Sequence, residues 1–261
     1  TLCYNIPVLE TLLQDSQARA LYLFPTKALA QDQLRSLLRF KELNPSLKIQ
    51  AGTYDGDTPA VTRRRLRDEG NCILTNPDML HSGILPNHAG WAEFFSSLKW
   101  VVIDEIHTYR GIFGSNVANV LRRLKRICSH YGSQPQFLCS SATIANPDQL
   151  ASQLTGESFT VIDEDGSPRG SKYFVLWNPP VLGETMERRS PQADAVSLMV
   201  QLLKSRIPTI AFCRTRAVTE LLYRYTREQL QKESPGLARA VRAYRGGYLP
   251  SERREIERRL F

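Results

Sequence analysis

Short apolar runs rich in β-formers recur along this chain with helical stretches between them, and this alternation constrains the fold most. The first five runs are 20–24 (ALYLF), 48–52 (KIQAG), 72–75 (CILT), 100–104 (WVVID) and 136–140 (QFLCS). Between the first two, Leu29, Leu34, Leu37 and Leu38 recur at the 3.6-residue spacing of an amphipathic helix. The stretch 115–130 places Val117, Val120, Leu121, Leu124, Ile127 and Cys128 on one helical face, with Arg122, Arg123, Lys125 and Arg126 opposite. Near-continuous apolar strands are buried on both faces, so they call for a parallel sheet with helices above and below. Further strands are predicted at 159–163, 173–177, 208–213 and 240–244, after and around the turn-rich "EDGSPRGSK" at 164–172. The predicted fold is α/β with two parallel-sheet domains in tandem: 1–166, a linker at 167–172, and an incomplete second domain at 173–261.

Composition narrows the class. Hydrophobic residues make up 42% and charged residues 23%, as expected for a globular chain and not for a disordered one. The apolar runs are far shorter than the ~20 residues that span a bilayer, and no leader pattern stands in these residues, so a cytoplasmic setting without membrane attachment is expected. The chain opens on Thr1 in what reads as a domain interior, and is expected to be a piece of a longer protein. Cys3, Cys72, Cys128, Cys139 and Cys213 are scattered and never spaced CxxC, so neither a disulfide framework nor a zinc site is expected within the chain. Cys139 and Cys213 read as small buried hydrophobes. A net charge of +8 suits an anionic partner but does not require one. The basic clusters at 61–69, 121–128 and 251–261 are of a kind that ordinarily forms solvated helix faces.

The stretch "VVIDEIHTYRG" (101–111) raises the functional question, because a buried strand ends in two adjacent carboxylates, Asp104 and Glu105. Ligands of parallel α/β sheets bind at the carboxyl ends of the strands. Two neighbouring acids there diverge, so one can face a metal ion while the other faces an attacking water. Nucleotide hydrolysis uses that division. An isolated Asp-Glu pair more often starts a solvated turn.

The pair is not isolated. "TLCYNIPVLE" (1–10), "LYLFPTKALAQDQ" (21–33), "TYDGDT" (53–58) and "LTNPDML" (74–80) precede Asp104-Glu105-Ile106-His107. "SSATIANP" (140–147), "AFCRTR" (211–216) and "YRGGYLPSERREIE" (244–257) follow it. In this order they resemble superfamily 2 helicases of the DExH-box type. The sequence from 104 to 128 and that from 244 to 257 are most similar to the MrfA/YprA-like bacterial DNA helicases, which resemble the eukaryotic RecQ-four-like group. The resemblance implies two RecA-like domains, ATP and Mg²⁺ as cofactors, and 3′-to-5′ translocation on single-stranded or tailed DNA in repair or maintenance. It also implies roles. Thr1 and Asp104 would hold Mg²⁺, Glu105 would be the general base, and His107 would link the γ-phosphate region to Ser141, Ala142 and Thr143, which would couple hydrolysis to domain movement. Thr26, Lys27, Gly56, Thr75, Asn76, Asp78, Arg214, Arg216 and Arg245 would lie along the nucleic acid. Hydroxyls, amides and cations hold phosphate without reading sequence, as a translocase requires.

Some family elements lie outside these residues: the phosphate loop's glycines and lysine, and the later arginine motif. The chain by itself is therefore expected not to turn over ATP. Two other readings share these motifs, an RNA helicase or non-unwinding ATP-driven remodeller, and a DNA-binding module on a decayed helicase core. The intact DEIH and SAT stretches argue against the last.

Overall fold

The computed structural model describes residues 1–164, 166–168, 170–182, 187–248, 252, 255, 256 and 259. The chain divides into two compact units, Thr1–Gly166 and Ser167–Phe261. In the first, strands β1 (Arg19–Leu23), β2 (Ala51–Thr53), β3 (Cys72–Thr75), β4 (Leu98–Ile103) and β5 (Gln136–Cys139) form one sheet in the order β2-β3-β1-β4-β5. Every pairing is parallel.

Alternation along each strand divides the core between two faces. Ala20, Tyr22, Phe24, Cys72, Leu74 and Val102 pack on one side against Tyr4, Val8 and Leu12 of α1 (Leu2–Gln14) and Ala30 and Leu37 of α2 (Lys27–Leu43). Leu21, Leu23, Ile73, Val101, Ile103 and Phe137 face the other way. There they meet Val117, Leu121 and Leu124 of α6 (Gly111–His130) and Leu154 of α7 (Pro147–Thr155). Leu66 of α3 (Ala60–Glu69) joins this face. So does the irregular run from α4 (Pro77–Met79) through a π-helical turn (Leu80–Ile84) and a 3-10 stretch (Leu85–Trp91) to α5 (Ala92–Ser96). Burying one such Leu contributes about 1.5–3 kcal/mol, so the two faces supply the main stabilisation of this unit.

Two strand starts lie two or more residues from expectation, each for a local reason. β2 begins at Ala51 and not at 48, because the Asn71 side chain takes the place of a ladder. Its Oδ1 accepts from the Gln50 N–H at 2.8 Å and its Nδ2 donates to the Lys48 carbonyl at 2.6 Å. β4 starts at Leu98, earlier than predicted, where the Arg19 N–H donates to the Ser97 carbonyl.

The second unit holds α8 (Pro191–Lys204), α9 (Arg216–Glu233) and α10 (Pro235–Ala240) around Val196, Val200, Leu222, Leu230 and Ala238. A short antiparallel pair, β6 (Val181–Leu182) with β7 (Glu187–Arg188), precedes them. The strands predicted at 173–177, 208–213 and 240–244 do not form here, nor does the one at 159–163 in the first unit. A parallel strand owes its hydrogen bonds to neighbours on either side. No strand forms at these runs among the described residues, and Ile162, Tyr173, Phe174 and Phe212 are left exposed. Arg169 of the predicted linker, and much of the 244–257 motif and the 251–261 basic cluster, lie outside the described residues. No helix among the described residues is long and apolar enough to cross a membrane.

Candidate functional site

The carboxyl edge of the first sheet gathers most of the predicted residues, one group per strand. Beyond β2 stand Gly56 and Asp57; beyond β3, Asn76 and Asp78; beyond β1, Thr26 and Lys27. Beyond β4 come Asp104, Glu105 and His107, and beyond β5 the loop with Ser141, Ala142 and Thr143. The strand order therefore places the nucleic-acid candidates on one half of the edge and the hydrolysis candidates on the other.

Asp104 is pinned by its backbone, since its N–H donates to the Leu23 carbonyl at 3.0 Å. Its side chain is buried, 7% exposed, and both carboxylate oxygens are engaged. Oδ1 accepts from the Glu105 N–H at 2.9 Å, and Oδ2 accepts from the Tyr4 hydroxyl at 3.0 Å. The same hydroxyl reaches the Thr1 Oγ1 at 3.5 Å, which Gln33 Nε2 also approaches at 3.3 Å. Burial above all, helped by the Asp104 and Glu105 charges, pushes the Tyr4 hydroxyl well above its ordinary pKa, so it stays a donor.

Glu105 occupies the left-handed region at φ 55° and ψ 43°. For a non-glycine residue that costs about 1–3 kcal/mol. Three contacts hold it there: its N–H on Asp104, and the Thr108 N–H and Oγ1 both donating to its carbonyl at 2.9 and 2.8 Å. The kink turns the Glu105 side chain toward His107, with Oε2 3.1 Å from Nε2. The Ala142 N–H donates to the other ring nitrogen, Nδ1, at 3.2 Å. Since that amide can only donate, the neutral ring carries its proton on Nε2, the nitrogen near Glu105. His107 thus stands between Glu105, at close polar distance, and the Ala142 amide, to which it is hydrogen-bonded, and so spans from β4 to the loop after β5. Ser141 Oγ is buried without a hydrogen-bond partner, and Thr143 is exposed in the same loop.

The donor set suits Mg²⁺. That ion prefers oxygen and usually keeps waters and substrate phosphates, needing one or two protein ligands. Thr1 Oγ1 and Asp104 Oδ2 are such a pair, joined through one hydroxyl. Among the described residues no cluster of three or more His, Cys, Asp or Glu forms a cage for a metal. Burial pushes the Cys72 and Cys139 thiols up to about 12 and Cys128 to about 11, which keeps them protonated, poor ligands.

The other half of the edge is more mixed. Thr26 and Asn76 are helix N-caps, accepting from the Leu29 N–H at 3.3 Å and the Met79 N–H at 2.8 Å. Lys27 Nζ pairs with Asp57 Oδ2 at 2.7 Å, and this bond raises its pKa. A Cβ on Gly56 would lie 3.6 Å from that ammonium. Thr75 differs: it is 2% exposed and its hydroxyl donates to the Tyr54 carbonyl at 2.6 Å, so its side chain braces β3 and does not present itself. Tyr109 lies buried just after the DEIH stretch with its hydroxyl unpartnered. Burial first, then Asp104, Asp78 and Glu105, push its pKa well up, so it senses acids from both halves. A cleft of about 470 Å³ between α6 and α7 is lined by Arg110, Ser115, Asn119 and Gln153, and not by Asp104 or Glu105.

In the second unit, Arg216 opens α9 behind the cap Thr215 and lies against Gly246. Arg245 pairs with Glu220 and stacks over the Tyr248 ring at 4.6 Å. The two guanidiniums thus converge on Gly246 and Gly247, while Arg214 is exposed ahead of the helix.

A family model for the DEAD/DEAH box helicases matches residues 1–150. The chain belongs to that family. This helicase chain is 52% identical over 261 residues to the ATP-dependent helicase YprA of Bacillus subtilis, spanning all of the chain and 34% of YprA. It is 43% identical over 267 residues to the ATP-dependent helicase HRQ1 of Saccharomyces cerevisiae, of which it covers 25%. It is also similar to the solved helicase MrfA bound to DNA and AMPPNP, with TM-score 0.92 and 52% identity over 98% of this chain and 35% of that one. The chain thus spans a quarter to a third of the length of these relatives. That likeness covers nearly the whole helicase chain, so the RecA-like fold holds although the second unit forms no parallel ladder among its described residues. Tyr4 and Gln33 escaped the motif reading. The signal for Tyr4 was its place three residues after Thr1, on the same helical face.

Proposed function

We propose that the protein carrying this chain is an ATP-dependent DNA helicase that translocates 3′-to-5′ on single-stranded or tailed DNA in repair or maintenance. The observation that carries this reading is the line Glu105–His107–Ala142 beside the Tyr4-held Asp104. It supplies a carboxylate for a metal, a second carboxylate to take a proton from water, and a link from that base to the next strand's loop. The ATP-dependent helicases YprA and HRQ1, and MrfA with its bound DNA and AMPPNP, support the same reading. Polarity and pathway rest on resemblance to that group.

The test is ATP turnover by the full-length protein with single-stranded DNA, RNA or no oligonucleotide, and unwinding of duplexes with a 3′ or a 5′ tail. DNA-stimulated turnover with unwinding of the 3′-tailed duplex is expected. Stimulation by RNA alone, or turnover without strand separation, rejects the proposal in favour of an RNA-directed or remodelling enzyme.

The nucleic-acid half yields its own expectation. Lys27 is held by Asp57 and must exchange that carboxylate for a phosphate. Lys27→Ala should weaken single-stranded DNA binding and lower the salt slope by ~0.7, one phosphate contact. Asp57→Ala should tighten binding by freeing the ammonium. Fluorescence anisotropy across a salt series checks both, and an unchanged slope for Lys27→Ala removes Lys27 from the track.

A further inference from the structure

The Tyr4 side chain carries none of the chemical steps of the scheme above, yet it is the group that joins Thr1 to Asp104. It is 4% exposed and its hydroxyl spends its proton on Asp104 Oδ2 at 3.0 Å. The opposite oxygen takes the Glu105 N–H at 2.9 Å. Two donors on opposite oxygens define the plane of the carboxylate, and each oxygen keeps a lone pair. The tyrosine is itself fixed. Its ring meets Tyr22 edge-on with centroids 6.2 Å apart, and Tyr22 stacks on Phe24 at 6.3 Å. One helix, α1, therefore delivers both the Thr1 hydroxyl and the donor that sets the acid beside it.

We infer that Tyr4 is a positioning residue for hydrolysis, its hydroxyl presetting Asp104 against Thr1 as a two-oxygen seat for a divalent cation. This rests on the reading of Asp104 as the cation's carboxylate. Without the hydroxyl, Oδ2 stays buried and short of a donor, the carboxylate turns about its last bond, and the cation must order it on arrival. Tyr22 provides the matched comparison. It is also buried, on the same face, and its hydroxyl donates to Asn5 Oδ1 at 3.2 Å and not to the acid.

The experiment uses the full-length protein and the fluorescent methylanthraniloyl derivative of AMPPNP, titrated with free Mg²⁺. The variants are Tyr4→Phe, Tyr4→Met, Tyr22→Phe and Asp104→Asn, each checked for folding by circular dichroism. Tyr4→Phe should raise the half-saturating Mg²⁺ about tenfold, the size expected for one hydrogen bond to a charged group. Analogue binding in EDTA should stay at the wild-type level. Tyr4→Met, which also lacks the donor, should shift the half-point the same way and stands in if the phenylalanine variant does not fold. Tyr22→Phe should leave the half-point unchanged, which a general loosening of the buried cluster would not. If Asp104→Asn abolishes the Mg²⁺ dependence while both Tyr4 variants titrate like wild type, the inference is overturned and the reading of Asp104 stands. If Asp104→Asn titrates like wild type, that reading fails and the inference with it.

Discussion

Asp104→Asn in the full-length protein is expected to lower ATP turnover about a thousandfold, the rate equivalent of the several kcal/mol a correctly held metal contributes to phosphoryl transfer. Two losses coincide. The negative charge at the β4 tip disappears, and with it the charged oxygen that the Tyr4 hydroxyl links to Thr1. The remaining amide also fits its surroundings poorly. Tyr4 and Glu105 each offer Asp104 a proton, on different oxygens. Asparagine can accept on its one oxygen but must turn its NH₂ toward the other donor. An unmet buried donor costs about 1–3 kcal/mol, so the variant should also unfold at a lower temperature. Turnover is measured under saturating DNA and Mg²⁺, and thermal unfolding on the same sample. Wild-type turnover in the folded variant would remove Asp104 from the reaction.

Glu105→Gln should cost less, about a hundredfold or more, the usual contribution of a general base. Nucleotide binding should be nearly unchanged. Glutamine keeps the size of the side chain beside His107 and leaves the His107–Ala142 hydrogen bond untouched, while proton acceptance from water is lost. Single-turnover measurements separate the two. A variant that hydrolyses bound ATP at the wild-type rate would transfer the base's role elsewhere, and one that fails to bind ATP would make Glu105 a structural residue.

The candidates for hydrolysis stand out in the sequence because each lies in a short motif beside an apolar strand. Geometry supplied details that motifs do not encode, such as the left-handed backbone at Glu105 and the ring nitrogen of His107 that faces Ala142. Among the nucleic-acid candidates of either unit, motif position did not reveal what a side chain is already bonded to. Thr75 sits in a motif, but its hydroxyl is spent on the Tyr54 carbonyl, and Arg245 is engaged by Glu220 and Tyr248. Thr26 and Asn76 cap helices, a role open to Thr and Asn at any strand-to-helix turn. The later strands failed to appear for a different reason. An apolar run states a preference for burial, but a strand exists through its partners. The exposure of Phe174 and Phe212 is therefore invisible in the runs that contain them.

By itself the sequence determined a layered parallel α/β unit, through the continuous apolar runs that burial on two faces imposes and the period-3.6 helices between them, and the order of the motifs along it. Only the tertiary structure decided which of them meet. A parallel sheet brings every strand's carboxyl end to one edge, but the order β2-β3-β1-β4-β5 is a matter of long-range pairing that no local pattern carries. It is that order which sets Tyr4 against Asp104, a hundred residues away, and draws the Ala142 amide from β5's loop onto His107.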